Sequence, residues 1–147
     1  MKRRTRFALW SAALHGAWEY AQCPPYYDMT GLPKPKHDAL MLAATGGDIA
    51  INLGVAAVAE HLVGREPVRR LTPSGTGALL GVGFVAAVGL EWAAQRLDMW
   101  SYTDRMPTVR VAGHDVGLLP IAAAGIDIRT LFYGAVAEAR DLTDADA

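Results

Sequence analysis

Cysteine is almost missing from this chain: Cys23 is the only one among 147 residues. A single thiol excludes an internal disulfide and a cysteine-built metal cluster. A surplus of positive charge is missing too. Fourteen lysines and arginines face fifteen acids, and the net charge is -1. No basic stripe with interleaved aromatics is present, so no nucleic-acid partner is implied. Charge of either sign is absent from Thr76–Leu90, so a helix there has no wet face.

What remains is four apolar stretches, Phe7–Gln22, Leu40–Ala59, Thr76–Ala94 and Val116–Ala137. The charges gather between them, in Met1–Arg6, Lys34–Asp38, Arg65–Arg70, Arg96–Asp115 and Glu138–Asp146. That grouping accounts for a mean hydropathy of only +0.15. It is the pattern of spans and loops, whereas a soluble helix repeats its charges every three or four residues. A span needs about 20 apolar residues. The expected architecture is an all-α, four-helix transmembrane bundle in one domain over residues 1–147. Its expected place is a bacterial inner membrane, multi-pass, with the lipid bilayer as its surroundings. A soluble helical bundle is the alternative at the level of fold.

Met1–Arg6 followed by an apolar run has the outline of a secretory signal peptide. His15 and Glu19 interrupt the run, and Gln22-Cys23-Pro24-Pro25 is a poor cleavage site, so the segment is expected to stay as span one. The fourth stretch is the least regular, because it holds Pro120, Asp127 and Arg129. Basic residues set direction. Lys2, Arg3, Arg4, Arg6, Arg65, Arg69, Arg70 and Arg140 fall on one side, Lys34, Lys36, Arg96, Arg105 and Arg110 on the other. The richer side is read as cytoplasmic, which puts both termini there. The outer loops are then Cys23–Pro33, a proline-rich cap expected to be non-helical, and Trp100–Pro107. Gly77 and Gly81, with Gly46, Gly47 and Gly54, predict close helix packing, and the Gly77/Gly81 face is a candidate contact in a homo-oligomer.

Each stretch carries a polar stripe. His15 and Glu19 are four apart and Gln22 continues their face. Thr45, Asp48 and Asn52 repeat the spacing, as do Glu91 and Gln95, and Asp127 stands in the fourth stretch. In lipid such stripes must face one another or water. At 1.5 Å per residue, Glu19 lies about 6 Å below the outer end of its span, Glu91 about 10 Å and His15 about 12 Å. Asp48 and Asp127 lie about 15 and 18 Å deep. Carboxylates gathered in low dielectric cannot all ionise, so at least one holds a proton near neutral pH.

The candidate catalytic set is therefore Glu19, His15, Glu91, Asp48 and Asp127. Glu19 or Glu91 would donate the proton, with His15 as partner and Asp48 as ionised stabiliser. Tyr27, Asp28, Asn52, Tyr102 and Asp104 are the candidate substrate contacts at an outward mouth. No metal site and no cofactor is implied. His37-Asp38 and His114-Asp115 read as solvated helix starts, and Cys23, Ser11, Ser74 and Ser101 lie in no nucleophile motif. The competing reading is that these side chains are interhelical glue.

Two resemblances add to this. Trp100-x-Tyr102-x-x-x-Met106-Pro107, Val116-Gly117-Leu118-x-Pro120 and Trp18-Glu19-Tyr20-x-x-Cys23-Pro24 resemble the pattern of small bacterial four-span membrane proteins of unassigned function. That implies topology and no activity. The His15/Glu19 pair is loosely similar to the emopamil-binding, sterol-isomerase-like bundles, in which such groups protonate an alkene and steady a carbocation. The expected function is a membrane protein with an outward-opening acid/histidine pocket, serving as a lipid- or isoprenoid-directed acid–base enzyme. A proton-coupled transport module and a non-catalytic membrane subunit are the alternatives.

Overall fold

The computed structural model describes residues 3–123. Three long helices dominate: α1 (Arg3–Tyr26), α2 (Lys34–Val63) and, after the short α3 (Arg65–Arg69), α4 (Pro73–Arg96). Among the described residues, α2 and α4 are the two helices long and apolar enough to cross a membrane. α2 packs against both α1 and α4, so it is the middle helix. The three run up, down and up. Tyr27 and Tyr102 form a β-bridge that ties the far ends of α1 and α4 together.

Local chemistry explains the boundaries. Pro33 precedes α2, and its fixed φ suits a helix start. Gly64, at φ 89°, ends it, in a region open to glycine and strained for other residues. Thr72 caps α4 by accepting from Gly75 N–H at 3.3 Å, with Pro73 in the first turn. Between them, α3 tucks so closely under α4 that a Cβ on Gly75 would lie 2.1 Å from the Pro67 carbonyl oxygen. Glu60 holds Arg65 and Arg69 at 3.6 and 3.8 Å at this end.

Several expectations need correction. The segment 23–26 is helical: α1 carries Pro24 and Pro25 in its last turn, so the proline-rich cap begins only at Tyr27. α2 begins at Lys34, six residues before Leu40, because Lys34 and Lys36 sit in an exposed first turn and Asp38, one turn on, pairs with Lys34 at 2.6 Å. The architecture is not purely helical. β1 (Thr108–Val111) and β2 (His114–Gly117) form an antiparallel hairpin, with Val111 opposite His114. Its two-residue turn, Ala112-Gly113, has φ of 46° and 89°, the primed geometry that matches strand twist. Val116 and Gly117 are therefore strand, and helix resumes only at 118–123. The remainder of the expected fourth span, with Asp127, lies outside the described residues.

The glycines also differ from expectation. A Cβ on Gly46, Gly47, Gly54, Gly77 or Gly81 would meet nothing within 4 Å, so among the described residues they mediate no close helix approach. Gly16 does approach a neighbour, with Thr45 3.8 Å from its Cβ position.

Buried and exposed positions are inverted relative to a water-soluble bundle. Ser11, His15, Glu19, Gln22, Asn52 and Glu91 are buried. Leu42 is 71% exposed and Val85 69%, and Leu62 and Phe84 also face outward. Apolar side chains do form two small clusters. Val55, Ala59, Val68 and Leu79 lie at the α3 end, and Cys23, Tyr27, Met41 and Met106 at the other.

Candidate functional site

On α1, residues 11, 15, 19 and 23 advance by four, so they stack along one face, and Gln22 fills the same side. All five are buried. This face looks at α2, where Asp48 and Asn52 are also four apart. The resulting contacts are specific. Asn52 Nδ2 donates to Ser11 Oγ at 3.0 Å and lies 2.6 Å from His15 Nε2. His15 Nδ1 is 3.2 Å from Asp48 Oδ2. An imidazole that accepts from Asn52 at Nε2 is left with its proton on Nδ1, directed at Asp48. His15 is thus oriented from both sides.

One turn further, Glu19 Oε2 accepts from the Cys23 thiol at 2.9 Å and Oε1 from Gln22 Nε2 at 3.2 Å. Both donors come from the same helix, so Glu19 is held by α1 alone. Glu91 is held differently. It takes the Tyr27 hydroxyl at 3.3 Å on Oε1 and the Tyr102 hydroxyl on Oε2. Tyr102 in turn accepts Gly117 N–H at 3.1 Å, which aims its own proton at Glu91. A Cβ on Gly117 would stand 3.2 Å from the Tyr102 ring and from Met106 Sδ, so the fit there is tight. Glu91 therefore fastens α4 to the end of α1 and to the hairpin.

These tyrosines sit beyond the helices, in the outer layer. Burial, and then donation to Glu91, pushes the Tyr102 phenol up to about 12. Tyr27 is pushed up as well, by burial and then by the neighbouring Glu91 charge. Tyr27 also meets Trp100 and Tyr102 edge-on, at 6.1 and 5.6 Å between ring centres. Asp28 N–H bonds Ser101 O, and Thr103 bonds Tyr26 O and Pro25 O, which completes a clamp between the two outer segments.

Below this layer lies a cavity of about 960 Å³. That volume is at the upper end of the range for small-molecule sites. Its described wall is mainly apolar, with Trp18, Leu40, Met41, Ile51, Val55 and Leu90 among its residues. Into it come His15, Glu19, Asp48, Asn52 and Glu91 from three helices. Trp18 Nε1 and Gln22 Oε1, both of wall residues, are buried without a hydrogen-bond partner.

Four of the five expected catalytic residues, His15, Glu19, Asp48 and Glu91, thus share one cavity. Of the expected substrate contacts, Tyr27, Asp28 and Asn52 lie on its wall. Tyr102 is not on the wall and donates to Glu91, which is. Asp104 is exposed and off the wall, since the turn after Tyr102 carries it outward. Thr45 bonds the Met41 carbonyl of its own helix at 2.9 Å and leaves the polar stripe. His37 packs against Tyr20 and His114 against Trp92, so the two histidine–aspartate pairs have different neighbours.

Ser11, Cys23 and Asp98 join the site without having been expected there. The four-residue spacing of Ser11 and Cys23 from His15 and Glu19 was the available signal. Comparison with known protein families, curated proteins and solved structures gives no match, so no relative supplies a role for these groups.

Proposed function

We propose that this chain is a four-span, multi-pass membrane protein whose outward-opening cavity binds a lipid- or isoprenoid-like molecule and acts on it by acid–base chemistry. The observation that carries this is the cavity itself: about 960 Å³ of mainly apolar wall into which buried His15, Glu19, Asp48 and Glu91 converge. The outward apolar side chains of α2 and α4 support the membrane setting. The fourth span rests on sequence alone, from Leu118 onward. The basic residues of α3 and the N-terminus support a cytoplasmic side for both termini.

The hydrogen bonds favour Glu19 over Glu91 as the proton donor. Glu91 already receives two phenols and has a tethering role. Glu19 receives only a thiol and an amide, both weak competitors for a substrate. Asp48 and His15 form the second half of the site. An ionised Asp48 steadies positive charge developing on the ligand, and His15 is its positioned partner. The test is native mass spectrometry of protein extracted from membranes in mild detergent. The wild type should carry a discrete apolar molecule that is lost in the E19Q/E91Q double variant. An empty wild type, or a bound polypeptide in its place, would reject the proposal.

The second reading is a proton-coupled transport module. It is favoured by the continuous chain Ser11–Asn52–His15–Asp48, in which every link is a hydrogen bond or ion pair between α1 and α2. A pH-driven flux in liposomes that N52L abolishes would favour it over the enzyme.

A further inference from the structure

The cavity wall can be read as a balance of donors and acceptors, and that balance bears on the head group of the ligand. The argument rests on the ligand-binding reading above. Apart from the Trp18 indole, the buried side-chain donors of the described wall are spent on the wall itself. Asn52 Nδ2 serves Ser11 and His15, and His15 Nδ1 faces Asp48. Gln22 Nε2 and the Cys23 thiol serve Glu19, and the Tyr27 hydroxyl serves Glu91. Acceptors are in surplus. An ionised Asp48 has about four lone-pair sites and uses only part of them, and Glu19, protonated as the proposed donor, keeps acceptor capacity beside its one O–H. Gln22 is 6% exposed, lines the cavity and leaves Oε1 unpaired.

Charge runs the same way. Among the described residues no lysine or arginine lines the cavity, while Asp28 and Asp98 add to its three inner carboxylates. Among the described residues, an anionic head would be buried beside negative charge with no cation to meet it. The one unspent indole donor, Trp18 Nε1, is neutral and does not offset a full charge.

We infer that the cavity selects an amphiphile whose head group donates hydrogen bonds and carries no negative charge, an alcohol or an amine on an apolar chain. Fatty acids and isoprenoid phosphates are disfavoured. An O–H or N–H head supplies what Gln22 Oε1 and the open carboxylate lone pairs lack.

The experiment is a competition. Detergent-purified full-length protein is incubated with equimolar dodecanol, dodecylamine and dodecanoate at pH 7.5, and adducts are counted by native mass spectrometry. The control is G47L. Gly47 lines the cavity, and a Cβ there meets nothing within 4 Å, so the new side chain occupies ligand space without a clash at its base. The expected result is alcohol or amine adducts at least about tenfold above dodecanoate, the effect of roughly one unpaired buried group. Those adducts should disappear in G47L. The alcohol-to-amine ratio then identifies which donor head is preferred. Dodecanoate bound as well as the others, and lost in G47L, would overturn this inference while leaving the cavity a ligand site. No adducts, or adducts indifferent to G47L, would overturn the ligand-binding reading and this inference with it.

Discussion

Asn52 is the residue on which the inner half of the site turns. Its amide reaches both Ser11 and His15 across the α1–α2 contact, and the histidine in turn reaches Asp48. Replacement by leucine keeps the bulk and removes both links. N52L should cost only about 1 kcal/mol in thermal unfolding in detergent, because interhelical polar bonds average about 0.6 kcal/mol. His15 should nevertheless lose its fixed tautomer, which ¹⁵N chemical shifts of the ring would report. Glu19 separates site from scaffold in the other direction. E19Q preserves an acceptor for Cys23 and should leave the melting temperature nearly unchanged while retained ligand is lost. A large drop in stability with ligand binding intact would reverse that assignment.

Tyr102 gives a pH prediction with a definite sign. Its folded pKa, about 12, lies above the ordinary phenol value of 10. The protonated form is the one that donates to Glu91, so its stabilising contribution is complete below pH 10 and is lost as pH rises toward 12. Absorbance at 295 nm should therefore show a late phenol step, and Y102F should remove it. An unchanged late step in Y102F would mean that Tyr102 is not the clamped group.

At the scale of elements, the joint between α3 and α4 is the least forgiving. G75A would drive a methyl into the Pro67 carbonyl, where backbone has to move. The expected loss is about 1–3 kcal/mol by denaturant titration or thermal melting, as for overpacking generally. G77A, on an open surface, should be neutral or slightly stabilising, since alanine is the better helix former. These two outcomes distinguish a glycine required by contact from one that is merely present.

The elements also show what was legible in the sequence. The three long helices were, because apolar runs bounded by charge carry length and position. The shared face of His15 and Glu19 was, because spacing by four leaves one solution on a helix. The partners of that face were less so. That His15 pairs with Asp48, and Glu19 with Cys23, depends on helix rotation and on which polar atoms come within 3 Å, which spacing does not encode. The hairpin was missed for a different reason. Thr108–Gly117 carries a turn of Ala-Gly rather than the stronger Asn-Gly signal. Arg110 and Asp115, paired across its strands, read as loop charges. Cys23 was set aside because its neighbours in sequence are prolines, whereas its relevant neighbour is one helical turn back.

For the whole molecule, the inverted distribution of side chains makes a prediction about where water meets the protein. In spheroplasts, T108C on the hairpin should react with a membrane-impermeant maleimide from outside. R70C, beyond α3, should react only after the membrane is opened. Cys23 is 5% exposed and should react in neither case, so the native thiol need not be removed. Labelling of both introduced cysteines in intact spheroplasts would reject the proposed topology.

The prolines at the end of α1 mark a waterline. Neither Pro24 nor Pro25 has an N–H, so the carbonyls of Tyr20 and Ala21 receive no hydrogen bond from the residue four ahead. In hydrocarbon such oxygens need a donor from a neighbouring helix or an ordered water, whereas the hydrated head-group zone satisfies them at once. In the proposed topology the oily part of the bilayer would stop near Tyr20 on α1. Glu19 is the next residue down. In the proposed topology it lies just beneath the membrane surface, where a proton from the outside would reach it with no channel through the bundle.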